Sequence, residues 1–251
     1  MSFLLKPVMR IALILLLVYL GLVAIVYFRQ RSLLYFPSHI ASPTELTLWK
    51  NDGHVIGYCR EAPHARTVWL MMHGNAGQAA DRDYVLPRMS DEDSLYVLEY
   101  PGYGARAGSP SRESINQAAT AAYQLLRKQN PHTPVCALSE SIGSGPACLL
   151  AAQSPPPDKI VLVVPFDVLA SVAAEHFPWL PVRLLLRDNW NNVEALSHYT
   201  GPVDIYGALQ DTIIPIRHAQ ALAKAVPQAQ FIEISGGHNE WADNPDVKIR
   251  R

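Results

Sequence analysis

Four short segments in a fixed order constrain this chain more than any other feature: His73-Gly74-Asn75-Ala76-Gly77, Ser139-Glu140-Ser141-Ile142-Gly143, Asp211, and Gly237-His238. A serine on a tight turn between a buried strand and a helix, followed in the chain by a carboxylate and then a histidine, supplies a nucleophile, an orienting acid and a base. Each piece alone is common. Their order and spacing are not, and they require three distant side chains to meet where loops leave the ends of neighbouring strands.

Ser141 is the expected nucleophile because it follows an apolar run, precedes a helical one, and has Gly143 two places on, where bulk would clash in a sharp turn. The G-x-S-x-G pattern is broken at its first position by Ser139, a side chain small enough for the turn to form with modest crowding. Ser139 and Ser144 are expected to be structural. Asp211 follows the strand expected at 203–206 and is placed to hold an imidazole in one tautomer; Asp167 is the better substitute for that role and Asp204 the weaker. His238 sits just past the last expected strand, among glycines that let its ring approach the serine. An oxyanion needs two donors aimed at one point: the main-chain N–H of Ile142 is the first, and Asn75, with Ala76 as rival, is the second. His73 is expected to brace that loop.

Around these motifs, apolar and β-branched runs alternate with helical stretches. Residues 46–50 and 54–60 flank Asn51-Asp52-Gly53, the signature of a hairpin turn. Residues 67–72 form a continuous apolar run, as a strand buried on both faces should. Helices are expected at 79–89, 112–129 (with Ser111 as N-cap), 142–153 and 217–225, and strands at 94–100, 134–138, 159–164, 203–206 and 230–234. This alternation predicts an α/β fold: a mostly parallel sheet with helices on both faces. The stretch 165–200 breaks the rhythm. With Phe166, Phe177, Trp179, Trp190 and three prolines, it is expected to form a small cap over the substrate site.

Residues 11–28 carry no charge and are mostly Leu, Ile and Val, close to the length a helix needs to cross a hydrocarbon core. Bulky or charged residues follow instead of a small-residue cleavage site, so the segment reads as an uncleaved anchor rather than a signal peptide. The expected organisation is therefore an anchor over 1–30, a stalk over 31–44 and a catalytic domain over 45–251. Lys6 and Arg10 at one end balance Arg29 and Arg31 at the other, so charge assigns no side of the membrane.

A net charge of −1 with 17% charged residues, and no basic run interleaved with aromatics, excludes nucleic acid as an expected partner. No histidine and carboxylate set has metal-ligand spacing, and Gly102-Tyr103-Gly104 lacks the rest of a dinucleotide fingerprint, so neither metal nor cofactor is expected. Cys59, Cys136 and Cys148 match no redox or zinc spacing. Cys136 and Cys148 are expected to behave as buried hydrophobes. Nothing in the sequence sets an oligomeric state.

With Tyr100-Pro101-Gly102-Tyr103-Gly104 and Ser109-Pro110-Ser111 added to the four segments, the chain resembles the α/β-hydrolase superfamily. The likeness is to the small membrane-anchored branch of the fungal bud-emergence-type proteins, the related bacterial hydrolases and serine aminopeptidase-like members. The resemblance implies a Ser141, Asp211, His238 triad that cleaves an ester, thioester or amide of a small acyl substrate through an acyl-enzyme. The alternatives are a catalytically degenerate membrane scaffold and a peptidase of small peptides. Similar hydrolases carry a helix after the histidine loop. Here the thirteen residues after His238 leave little room for one, and that face is expected to be trimmed or covered by the anchor, a partner or nothing.

Overall fold

The computed structural model describes residues 2–40 and 42–251, with side chains from position 7, so the Lys6 side chain counted in the charge balance lies outside the described residues. In chain order the elements are α1 (Ser2–Leu34), β1 (Phe36–Pro37), β2 (Thr47–Asn51), β3 (His54–Arg60), β4 (Thr67–Met72), β5 (Ala76–Gly77), β6 (Asp93–Leu98), α2 (Arg112–Gln129), β7 (Val135–Glu140) and α3 (Ser144–Leu149). There follow β8 (Ile160–Val163), α4 (Leu169–His176), α5 (Val182–Leu185), α6 (Asn192–Leu196), β9 (Val203–Ala208), α7 (Arg217–Ala225) and β10 (Ala229–Ile234).

Eight strands form one sheet in the order β10-β9-β8-β7-β4-β6-β3-β2. The pairs β2 with β3 and β3 with β6 are antiparallel, and the others are parallel. The opening hairpin turns through Asp52 and Gly53, both at positive φ (49° and 80°), as the primed turn of a two-residue loop requires. β4, β6, β7 and β8 are buried along their whole length because covering layers lie on both faces.

Strand alternation sends Val68, Leu70 and Met72 of β4 to one face and Trp69 and Met71 to the other. The first face is covered by α2, α3, α6 and α7, with Ile115, Ala119, Leu126 and Leu222 buried against it. Helix α2 begins where expected, with Ser111 Oγ accepting the Ser114 N–H at 3.0 Å, a cap whose loss costs about 1 kcal/mol. The second face is covered differently. Residues Ala79–Arg88 form a 3-10 helix kinked at Arg82 with Pro87 near its end, where a plain helix was expected. The rest of that face is closed by Trp241, Val247 and Ile249 from the last residues, which return in mostly extended form; the Ile249 N–H donates to Arg88 O and Tyr206 Oη donates to Lys248 O. The chain's own last residues, and not the anchor, pack against that face.

Helix α1 is 33 residues long, about 50 Å at 1.5 Å per residue, and is apolar and long enough to cross a membrane. It runs on through Leu34, so the first residues expected as stalk are helical. The chain then lays β1 parallel to β5, pairing Phe36 with Ala76. The C-terminal part of α1 docks on the segment 165–200. Arg31 Nε donates to Asp188 Oδ2 at 2.9 Å, Tyr35 Oη donates to the same carboxylate at 3.1 Å, and the Arg187 N–H donates to Gln30 Oε1 at 2.7 Å. That segment holds α4, α5 and α6, closed at its base by a bridge between Val168 and Asn191. Its Phe166 and Trp190 are ordinary core residues, whereas Phe177 and Trp179 are about half exposed (48% and 50%). All three cysteines are free and buried, and burial pushes the Cys136 thiol up to about 12.

Candidate active site

β7 extends to Glu140, two residues beyond the expected strand, so that Ser141 begins the turn into the 3-10 residues Ser141–Gly143 and then α3. Ser141 has φ +53°, the left-handed region that side chains rarely adopt, at a cost of about 1–3 kcal/mol. This conformation throws the hydroxyl off the sheet. Gly143 is required beneath it, since a Cβ there would run into the carbonyl oxygen of Met72 at the end of β4.

Asp211 leaves the end of β9 and His238 leaves the end of β10, neighbouring strands whose ends bring the two loops together. His238 Nδ1 lies 2.7 Å from Asp211 Oδ2, and His238 Nε2 lies 2.8 Å from Ser141 Oγ. Asp211 Oδ1 accepts the Ile213 and Ile214 N–H groups at 2.9 and 2.8 Å, which fixes the carboxylate with one oxygen aimed at the ring. With Nδ1–H donating to Asp211, Nε2 presents a lone pair to the Ser141 hydroxyl. The Asp211 side chain is 1% exposed and that of His238 8%, so little water competes for these bonds.

The loop from His73 to Gly77 is held from three sides. Tyr100 Oη donates to His73 O at 2.7 Å, Tyr103 Oη donates to Asn75 O at 2.8 Å, and the Gly74 N–H donates to Glu140 Oε1 at 2.7 Å. His73 is fully buried, stacks on Tyr100 with ring centroids 4.1 Å apart, and contacts Gly74 O through Nδ1 at 2.7 Å. Among the described residues no protein acceptor takes the N–H of Asn75 or of Ile142, leaving both free for a ligand oxygen.

Glu140 is the residue that sequence reasoning passed over. It is buried, ties the loop to β7 through Gly74, accepts Tyr84 Oη at 2.6 Å, and lies 3.3 Å from Arg82 Nε. Burial first, and then Glu140, push the Tyr84 phenol well up, so it stays a donor to that carboxylate. The signal was an acidic residue at the buried end of a strand beside the proposed nucleophile. Tyr100 and Tyr103 stand in a motif already singled out for its glycines.

The other candidates are engaged elsewhere. Asp167 Oδ1 meets His218 Nδ1 at 2.7 Å, Asp204 pairs with Lys159 at 2.6 Å, and Ser144 Oγ accepts Asn192 Nδ2 at 2.9 Å. Ser139 is fully buried in register with Met72 and Leu162, and its hydroxyl has no partner among the described residues. Strand pairing therefore absorbs the serine that replaces glycine. Among the described residues no group of three or more His, Cys, Asp or Glu is arranged to hold a metal ion.

No protein-family model matches the chain. A Mycobacterium tuberculosis protein of uncharacterized activity is 30% identical over 237 residues, covering 88% of this chain and 84% of its own length. The α/β-hydrolase domain-containing protein WAV2 of Arabidopsis thaliana is 27% identical over 209 residues, with 70% of this chain and 67% of its own length covered. The lysophosphatidylserine lipase ABHD12 of Danio rerio is 26% identical over 195 residues, 70% of this chain but 51% of its own length, so the chain spans about half of that protein. Among solved structures, Est1E of Butyrivibrio proteoclasticus with ferulic acid bound superposes with a TM-score of 0.63 at 16% identity, covering 76% of this chain and 91% of Est1E. With this sheet order, this turn at Ser141 and these neighbours, the chain has the α/β-hydrolase fold and is similar to proteins of that superfamily.

Proposed function

We propose that this protein is a membrane-anchored serine hydrolase of the small anchored branch, cleaving an ester, thioester or amide of a small acyl substrate. In this reading α1 is the anchor, residues 45–251 are the catalytic domain, and 165–200 are its cap. The observation that carries it is the relay in which one imidazole lies 2.8 Å from Ser141 Oγ and 2.7 Å from a buried Asp211 carboxylate. The lipase activity that gives the ABHD12 relative its name agrees with it.

In the proposed reaction Ser141 Oγ attacks the acyl carbon while His238 Nε2 takes its proton, and the carbonyl electron pair moves to oxygen. The Ile142 and Asn75 N–H groups receive that oxyanion, a contribution of about 3–4 kcal/mol per donor in comparable sites. Re-forming the carbonyl expels the leaving group, which takes the proton back from Nε2. Water then attacks the acyl-enzyme, passing one proton through Nε2 to the departing Ser141 oxygen, so the sum is ester and water to acid and alcohol. Asp211 stabilises the imidazolium at both stages without itself being protonated.

A fluorophosphonate probe tests the assignment: the wild type is labelled and Ser141→Ala is not. Equal labelling of both refutes it. A panel of matched esters, thioesters and amides then ranks the bond cleaved, and faster turnover of aminoacyl amides would favour a peptidase.

A further inference from the structure

We propose that the tip of the cap, residues 177–186, is a second membrane-inserting element beside α1, and that Ser141 receives its acyl substrate from that leaflet. The proposal rests on the anchor reading and adds a surface and a route to it.

The register between helix and cap carries the argument. Tyr19 Oη donates to the main-chain oxygen of Trp179 at 3.0 Å, and Gln30, eleven residues on, donates through Nε2 to Leu185 O at 3.3 Å. Tyr19 lies nine residues before the end of the apolar stretch 11–28, about 14 Å along the helix. Cap and helix are docked over this interval, so the stretch cannot lie in hydrocarbon to its end while Trp179 stays in water. From Val8 to Val18 the large apolar side chains of α1 are all more than half exposed, and protein flanks the helix only beyond them.

The composition of the tip fits that depth. Phe177 and Trp179 pack edge to face, and Leu184 is 87% exposed, the most exposed large apolar side chain of the described residues. Arg187 lies 5.9 Å from the Tyr27 ring, and Arg183 adjoins Leu184, so cations and aromatic rings sit together as they do where a protein meets lipid headgroups. The Tyr19 hydroxyl satisfies a cap carbonyl that would otherwise enter an apolar medium unpaired. An apolar cleft of about 50 Å³ remains between α1 and α5, lined by Val26, Leu180, Val182 and Leu186 among others. The tip also reaches the chemistry. His176, beside Phe177, bonds through Nε2 to Ile213 O at 2.8 Å, and the N–H of that same half-exposed Ile213 donates to Asp211. One contact thus separates the lipid-facing patch from the loop that holds the acid.

The full chain, reconstituted in phosphatidylcholine vesicles containing phosphatidylglycerol with brominated acyl chains, provides the test. Trp49, Trp69, Trp190 and Trp241 are each 5% exposed or less, so Trp179 is the tryptophan open to quenching. Brominated lipid is expected to quench emission in the wild type, and Trp179→Phe is expected to abolish that quenching. In Phe177→Ser with Leu184→Ser, hydrolysis of an acyl ester embedded in the vesicles is expected to fall several-fold, while a soluble short-chain p-nitrophenyl ester is turned over at the wild-type rate. Protein that floats with the vesicles but is unquenched, or is quenched equally in Trp179→Phe, overturns the insertion and leaves the anchor standing. Protein that does not float overturns the anchor and the insertion together. Equal losses on both substrates overturn the leaflet route, and a wild type inactive on both overturns the hydrolase reading with it.

Discussion

Two histidines in this protein hold a carboxylate with the same ring nitrogen at the same distance. His238 Nδ1 is 2.7 Å from Asp211, and His218 Nδ1 is 2.7 Å from Asp167. Both rings are nearly enclosed, their side chains 8% and 5% exposed. The pairs part at the other nitrogen. His238 Nε2 faces the Ser141 hydroxyl at 2.8 Å, whereas His218 Nε2 is 3.2 Å from Glu175 Oε1 without hydrogen-bond geometry. A histidine and a carboxylate are therefore not what makes a base. The proposed reaction also needs a proton donor at Nε2, on a turn that frees it from the sheet, and of the two pairs only the one beside the Ser141 elbow has such a group among the described residues. The second pair ties the end of β8 to α7 and, through the nearby Glu175, to α4.

Removing the two rings gives the largest contrast. His238→Ala is expected to lower kcat on a p-nitrophenyl ester by about 10⁴–10⁶-fold with the fold intact. His218→Ala is expected to keep kcat within about tenfold while lowering stability by about 1–3 kcal/mol, because Asp167 loses its partner. Urea midpoints and initial rates on both variants check this. A folded His218→Ala protein as inactive as His238→Ala would break the distinction.

The acids should separate next. Asp211→Asn keeps the geometry but presents the wrong tautomer, and kcat is expected to fall by about 10⁴-fold. Asp167→Asn should cost less than about tenfold, since its histidine takes no proton from a nucleophile in the proposed reaction. A pre-steady-state burst with p-nitrophenyl acetate locates any loss in acylation. If Asp167→Asn loses the burst and Asp211→Asn keeps it, the roles are exchanged.

That Ser141, Asp211 and His238 meet was legible in chain order, because Asp211 and His238 follow successive strands and Ser141 stands on the strand-to-helix turn. α2 and α7, the hairpin turn and the buried strands were equally legible, since their signals are local: a cap at Ser111, 3.6-residue spacing, Asp52-Gly53. The kink at Arg82 was not, because the pull of Glu140 on that segment is tertiary. Nor was the pairing of Phe36 with Ala76, two residues far apart in sequence with no β signature of their own. Glu140 was hidden for a similar reason. Its partners Gly74, Tyr84 and Arg82 are drawn from a distant part of the chain, and only the assembled sheet brings them to it.

A smaller effect sharpens the comparison on the nucleophile side. The Ser139 hydroxyl is buried without a partner among the described residues, two positions before a hydroxyl that has one. Ser139→Ala is expected to raise stability by about 1 kcal/mol, seen as a later urea midpoint, and to leave kcat unchanged. A fall in kcat would show that the hydroxyl contributes to the elbow.

The smallest effect concerns Glu175, which separates the second pair from the first. The hydrogen bond from Arg217 holds its carboxyl below the ordinary 4.5 against the opposing effect of burial. A carboxyl with a lowered folded value adds stability that is complete above its unfolded value and is lost as pH falls through the folded one. Since Arg217 is fully exposed, that contribution is small and screened by salt. Glu175→Gln is therefore expected to melt slightly below the wild type at about pH 6, with the gap closing as pH drops well under about 4 and shrinking in high salt. A gap independent of pH and salt would mean that Glu175 acts through packing. His218 would then be held by Asp167 alone, and the two pairs would differ only in whether a hydroxyl stands at Nε2.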